Sequence, residues 1–126
     1  MSIKKEVEKY MTALESSAAG VLKACFTFPE EFVGFQGHFP SEKILPGVCQ
    51  IQCVVSMYEK AGKAFLLKEI ISAKFFSPVL PSEEILCVCS GADDRPEAFV
   101  VKASVSRAGQ AVAELKLRGL IQEKKI

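Results

Sequence analysis

The chain has 126 residues, 49% of them hydrophobic and 25% charged, which predicts one domain, residues 1–126, with a sizeable core. The formal net charge is +1 and the charges are spread along the chain, which argues against a nucleic-acid-binding protein. No apolar run is long enough to span a membrane, so no membrane association is expected.

The five cysteines, at positions 25, 49, 53, 87 and 89, lie inside apolar segments and form no CxxC pair. With a single histidine in the chain they offer little basis for a zinc site, and neither a metal nor another cofactor is expected. Packing as small core residues is the favoured interpretation. The odd count and the lack of a signal peptide indicate a reducing, cytoplasmic location.

The N-terminal part of the chain predicts a helix, a strand and a long connection. Apolar residues at helical spacing predict an amphipathic helix from Ile3 to Leu14, and a run of small residues then breaks it, so that residues 1–18 form an N-terminal helix and break. Val21 to Phe28 alternates as a strand, which Pro29 ends. Residues 30–46 form an irregular connection, and connections of this length are usually functional.

Residues 46–62 predict the central helix. Pro46 suits a first helical turn because it needs no N–H there and its φ is preset, and Gly62 suits a C-terminal stop. Apolar residues between them point in every direction around the axis, so the helix is expected to be buried on all sides. Polar residues on such a helix must find partners or face a cavity. They are Gln50, Gln52 and Ser56.

The rest of the chain has β patterns only. Strands are predicted at residues 64–76, 85–90, 98–106 and, after a hairpin turn at 107–110, at 113–118. The last strand alternates apolar with charged residues, so one of its faces is expected to be wet. Residues 122–126 are expected to be a frayed tail.

Together these elements predict an α+β fold in which an antiparallel β-sheet wraps around a central buried helix. One strand before the helix and four after it supply the sheet. A single small sheet cannot cover a helix on every side, whereas a second copy of the chain can. The pattern alone therefore predicts a homodimer or a higher homo-oligomer.

Three short segments resemble a known family. The hotdog-fold 3-hydroxyacyl-acyl-carrier-protein dehydratases have segments that resemble GHFP at residues 37–40, ILPGV at 44–48 and KFFSPVLP at 74–81. The similarity runs in order over about residues 22–122. The short form of residues 29–50, with its LPGVCQ, is similar to the dehydratase-like proteins of aryl-polyene pathways. The resemblance implies a hotdog dimer with two sites at the subunit interface, and a substrate carried by acyl-carrier protein or coenzyme A.

The resemblance also implies which residues form the site. The family's histidine falls on His38, which is expected to lie near Gln52 of the other subunit. Gln52 itself occupies the position of the family's acid, six residues after the PGV proline, and Ser56 occupies that of a family glutamine; both are departures. A second set is implied to bind substrate, and it comprises Gly47, Val48, Phe39 and Ser56.

The chemistry of the family shows why Gln52 matters. Dehydration of a 3-hydroxyacyl thioester needs a base for the C2 proton, for which histidine is suited at neutral pH. It also needs a proton donor for the leaving hydroxyl, for which a buried carboxylic acid with a raised pKa is suited. An amide cannot supply that proton. Glu42 and Glu59 are the candidate substitutes, although both are expected to be solvated surface charges.

Two hypotheses from different classes remain open. In the first, the protein is a hydro-lyase of fatty-acid or polyketide-type metabolism, with His38 as base and Gln52 in place of the acid. In the second, it is a non-catalytic or altered-activity hotdog subunit that binds acyl thioesters or pairs with an active paralogue. Both expect an apolar tunnel between the central helix and the strand at residues 64–76.

Overall fold

The computed structural model describes residues 3–17, 19–36, 43–93 and 98–123, so His38, Phe39 and Glu42 lie outside the described residues. Within these ranges no helix is long and apolar enough to cross a membrane. The elements are α1 (Ile3–Lys9), β1 (Met11–Ser16), β2 (Leu22–Thr27), a 3-10 helix (Val33–Phe35), α2 (Gly47–Lys60), β3 (Lys63–Phe75), β4 (Glu84–Asp93), β5 (Phe99–Arg107) and β6 (Gln110–Glu123).

The strands of the described ranges form one antiparallel sheet in the order β1-β2-β4-β5-β6-β3. The predicted hairpin between β5 and β6 is confirmed: Ala108 and Gly109 have φ values of 50° and 81°, as a two-residue hairpin turn requires. Among the described strands β3 pairs with β6 alone, so it forms one edge of the sheet and β1 forms the other. The predicted antiparallel sheet with a central helix is confirmed.

The central helix has nearly the predicted bounds. Pro46 is its N-cap, with φ −62° and ψ 149°, so the first helical residue is Gly47 rather than the proline. The helix ends at Lys60, and Gly62 takes a φ of 91°, a conformation that suits glycine just beyond a helix C-terminus. The side of α2 that faces the sheet is buried, and Met57 on that side has no exposed surface.

The opposite side of α2 is uncovered in the single chain. Val48 is 72% exposed, and Gln52, Val55 and Glu59, at successive turns on the same face, are half-buried. The sheet and α1 enclose only part of its circumference, as expected for a single chain, and burial of α2 on all sides stays a prediction for the dimer. We call Val48, Gln52, Val55 and Glu59 the α2 stripe.

The N-terminal helix is shorter than its apolar spacing predicts. It ends at Lys9, and the following residues form β1, which pairs antiparallel with β2. The predicted continuation of the helix to Leu14 is wrong because β2 offers an edge to pair with, and such tertiary pairing overrides local helical periodicity. A positive φ of 55° at Ala13 accompanies a register shift in this pairing.

The faces of the other strands agree with the sequence. In β6, Ala113, Leu115 and Leu117 are buried, while Glu114 and Arg118 are exposed, so one face is wet as predicted. The inward residues of the strand at 21–28 are at most 4% exposed, and they are Leu22, Ala24, Phe26 and Phe28.

The prediction of a frayed tail at residues 122–126 is wrong for its first two residues. Gln122 and Glu123 belong to β6 and pair with Ala64 and Lys63 of β3, because the long edge strand offers them partners. Residues 124–126 lie outside the described ranges.

Four of the five cysteines are core residues, as the sequence predicts. Cys87 Sγ lies 3.9 Å from Cys89 Sγ, which in turn lies 3.8 Å from Met57 Sδ, so sulfur packs against sulfur between β4 and α2. Burial raises the pKa of the Cys53 thiol, and the contact with Cys87 together with burial raises that of Cys89. The buried cysteines are Cys49, Cys53, Cys87 and Cys89.

We expect thiol reagents to label the folded protein at Cys25 alone, because it is the cysteine that is partly exposed. Burial and the carboxylates of Glu84 and Glu15 raise its pKa, so labelling should be slow at neutral pH and faster as the pH rises. Mass spectrometry after iodoacetamide treatment identifies the labelled sites, and Cys25→Ser should abolish labelling of the folded chain. Labelling of Cys53 at a similar rate would contradict its burial.

Candidate active site

Two segments that are distant in sequence meet at the start of α2. The N–H of Leu45 donates to the carbonyl of Val79 at 2.8 Å. The ring of Phe75, at the end of β3, lies over Gly47, where an added Cβ would come 2.7 Å from the ring's Cζ atom. Only glycine permits so close an approach. The ILPGV and KFFSPVLP segments are thus packed together.

The N-terminus of α2 presents two backbone donors. The Pro46 carbonyl accepts hydrogen bonds from the N–H groups of Cys49 at 3.0 Å and Gln50 at 3.3 Å. The side chain of Pro46 carries no polar atom, so it makes no capping hydrogen bond. The N–H groups of Gly47 and Val48 have no partner among the described residues. A helix end of this kind is suited to hold an oxygen that gains negative charge.

One turn further along, Gln52 and Ser56, two of the polar residues expected to find partners or face a cavity, are hydrogen-bonded to each other. Gln52 Nε2 donates to Ser56 Oγ at 3.0 Å, and Ser56 has no exposed surface, so the bond satisfies a buried hydroxyl. It also holds the Gln52 amide in one orientation. Gln50 is 3% exposed, and its Oε1 has no partner within the described part of the chain.

A groove of about 490 Å³ runs between α2 and β3. Gln52 is a polar group on its wall, and Lys4 and Glu59 lie at its other end, toward the C-terminus of α2. The helix and the strand that are predicted to line a tunnel thus line an open groove in the single chain. Its apolar walls comprise Val48, Ile51, Val55, Ala64, Phe65, Leu66, Leu67 and Ile70.

Glu59 is not the solvated surface charge that the sequence predicts. Its side chain is only 16% exposed, and its Oε1 accepts a hydrogen bond from Lys4 Nζ of α1 at 2.7 Å. Lys4 is a groove residue that the sequence does not predict, because nothing local relates it to Glu59, 55 residues further on. Seven residues of α-helix separate Glu59 from Gln52, a rise of about 10 Å.

The described residues include most of the predicted site. Gln52, Ser56, Gly47 and Val48 all lie on the first three turns of α2, whereas the positions of His38 and Phe39 fall outside the described ranges. No group of three or more His, Cys, Asp or Glu side chains in those ranges is arranged to hold a metal ion.

An antiparallel sheet wrapped around one long helix is the hotdog fold. The chain superposes on a solved structure, the dehydratase heterocomplex ApeI:P from Xenorhabdus doucetiae, with a TM-score of 0.68. That match covers 87% of this chain and 96% of the other at 22% sequence identity.

The sequence comparisons define the family. The ApeI-like family model, described as ApeI dehydratase, matches residues 14–115. The 3-hydroxyacyl-(acyl-carrier-protein) dehydratase FabZ of Wolbachia sp. subsp. Drosophila simulans is 34% identical over 112 residues, 78% of this chain and 73% of that protein. FabZ of Acidiphilium cryptum is 30% identical over 101 residues, 72% of this chain but only 61% of that protein. The chain belongs to the ApeI-like dehydratase family, which confirms the resemblance.

We expect Gly47→Ala to lower the free energy of unfolding by about 1–3 kcal/mol, because the Phe75 ring must move away from the new methyl group. In a Phe75→Leu background the same substitution should cost much less, since the ring is gone. Urea denaturation of the single and double variants measures this coupling.

Phe76→Leu provides the matched control, because Phe76 is the neighbouring exposed ring and is not among the atoms nearest Gly47. The cost of Gly47→Ala should be unchanged in that background. Equal costs in the Phe75→Leu and Phe76→Leu backgrounds would show that the contact does not constrain residue 47.

Proposed function

We propose that the protein acts on 3-hydroxyacyl thioesters carried by acyl-carrier protein or coenzyme A, as a dehydratase with an altered acid position. One observation carries the proposal. The start of α2, where the N–H groups of Gly47 and Val48 have no partner within the described ranges, adjoins an apolar groove that Gln52 also lines. Apolar walls with a few placed polar groups are typical of a ligand site.

Each site residue has a proposed role. His38 removes the C2 proton, and the N–H groups of Gly47 and Val48 hold the thioester oxygen as negative charge develops on it. Gln52 hydrogen-bonds the 3-hydroxyl group, which leaves as water after it takes a proton from solvent. Phe39 and Ser56 would contribute to substrate binding, Ser56 by orienting Gln52 through their hydrogen bond.

The proposed site has no side-chain acid at position 52 to give a proton to the leaving hydroxyl. A side-chain amide donates hydrogen bonds but does not transfer a proton at neutral pH. A positioned general acid contributes roughly 10²–10⁴-fold to a rate. Gln52 should therefore slow dehydration while leaving the thioester-binding part of the site intact.

We expect Gln52→Glu to raise dehydration turnover by roughly 10²–10⁴-fold, equivalent to about 3–5 kcal/mol of barrier. Thioester affinity should change much less, because the helix N-terminus is untouched. Turnover and binding of 3-hydroxyacyl-coenzyme A, measured on the same preparations, separate the two effects.

Two matched variants complete this experiment. Gln52→Met removes the hydrogen-bonding amide at similar volume and should not raise turnover. His38→Ala in the Gln52→Glu background should abolish the gain. Fast dehydration by the natural protein, unchanged by Gln52→Glu, would place the proton donor elsewhere.

A second candidate function is a binding subunit without catalysis. The hydrogen bond from Gln52 to Ser56 favours it, because it ties the amide to a neutral hydroxyl and neither group is ionisable. The structurally similar Xenorhabdus doucetiae protein is described as a dehydratase heterocomplex, so pairing with an active relative is the form that this function would take. If Gln52→Glu binds thioesters as the natural protein does and neither turns over, this second function is supported.

We further propose that two copies of the chain form a dimer through β3 and the α2 stripe. β3 is a 13-residue edge strand, and Leu66, Ile70 and Phe75 along it are 55%, 49% and 47% exposed. A long apolar edge strand is a template for pairing with another chain. Antiparallel pairing of two β3 strands would continue the sheet and cover the stripe of each copy.

We expect Ile70→Lys to weaken or abolish this dimer, because it places two charges in the paired edge. Leu86→Lys is the control: Leu86 is 37% exposed but lies on β4, inside the sheet. Sedimentation equilibrium at micromolar concentration gives the mass of each variant. A natural protein that is monomeric under these conditions would contradict the proposed dimer.

A further inference from the structure

The groove between α2 and β3 ends at a charged pair. Lys4 Nζ and Glu59 Oε1 are 2.7 Å apart, and both residues line the groove. Glu59 belongs to the α2 stripe, whereas Lys4 reaches it from α1. The side chains are 47% and 16% exposed, so the pair is partly shielded from solvent.

We propose that the Lys4–Glu59 ion pair is the end wall of the acyl site and sets the longest chain that the groove accepts. The inference rests on the proposed function, in which the substrate's 3-hydroxyl lies at Gln52. The acyl chain then runs along the apolar walls toward the C-terminus of α2. Its terminal methyl group meets the ion pair.

The distance from Gln52 to the wall gives the chain length. Seven residues of helix rise about 10 Å. An extended chain advances about 3.5 Å for every three bonds, or about 1.2 Å per bond. About eight or nine bonds therefore fit between C3 and the wall, which corresponds to an acyl chain of about eleven or twelve carbons.

The wall limits length because its groups are charged. Each methylene that enters the apolar groove should improve affinity about fourfold. A methylene that reaches the ion pair must displace water from a lysine and a carboxylate, and desolvation of charges is costly. The gain per methylene should therefore stop once the chain touches Lys4 and Glu59.

The test is a binding series with saturated acyl-coenzyme A thioesters, lengthened by two carbons at a time and measured by calorimetry. For the natural protein, affinity should rise about fourfold per methylene and then level off or fall beyond about twelve carbons. In the Lys4→Ala/Glu59→Ala variant the break should move to longer chains.

Lys9→Ala/Glu6→Ala is the matched control, because Lys9 and Glu6 form a comparable ion pair on α1 that does not line the groove. It should leave the break where it is. Val55→Phe is a second variant, which shortens the groove and leaves the ion pair in place. It fills the groove four residues, or about 6 Å, before Glu59, so the break should shift to chains about five bonds shorter.

The outcomes distinguish the wall from the proposed function. A break at the same length in the natural protein, Lys4→Ala/Glu59→Ala and Val55→Phe would overturn the wall and leave acyl binding intact. Absence of binding at every chain length in the natural protein would overturn the proposed function itself. The measurement does not require turnover, so it applies whether or not Gln52 permits catalysis.

Discussion

The packing of α2 against the sheet is the constraint on which the rest of the site depends. Cys53, Val54 and Met57 have no exposed surface, so the rotation of the helix about its axis is set by burial. Helical periodicity then places Val48, Gln52, Val55 and Glu59 on the opposite side. The groove, the orientation of Gln52 and the position of Glu59 all follow from this one orientation, and the contact between Gly47 and Phe75 holds the start of the helix in place.

Features that depend on neighbours in sequence could be predicted, and features that depend on distant ones could not. The hydrogen bond from Gln52 to Ser56 follows from their four-residue spacing, and the inward face of β6 follows from alternation. The strand at Met11–Ser16 could not be predicted, because the same apolar residues also fit a helix and only pairing with β2 decides between them. The contact between Lys4 and Glu59 could not be predicted either, although α1 itself was expected, because it joins residues that are distant in sequence.

The two halves of the proposed site lie on different turns of one helix, and they can change independently. The N–H groups of Gly47 and Val48 belong to the backbone, so no substitution at residue 52 removes them. The acid belongs to a side chain, and one substitution is enough to lose it. Under the proposed function, a chain with Gln52 would keep the groups that hold a thioester oxygen while lacking a side chain that donates the proton. Both proposed functions share this binding half and differ only in the proton.

The proposed acyl site and the proposed dimer interface share one surface of the chain. Leu66 and Ile70 line the groove and also lie on the open edge of the sheet, and Val48 is shared between the groove and the α2 stripe. In the proposed dimer, a second copy that pairs with β3 would roof the groove and exclude water from it. An acyl chain held under that roof would then bind the dimer more tightly than the single chain, and by thermodynamic linkage it would strengthen the dimer by the same factor. The two proposals together, an acyl chain and a second copy, would account for the apolar surface that one chain leaves exposed.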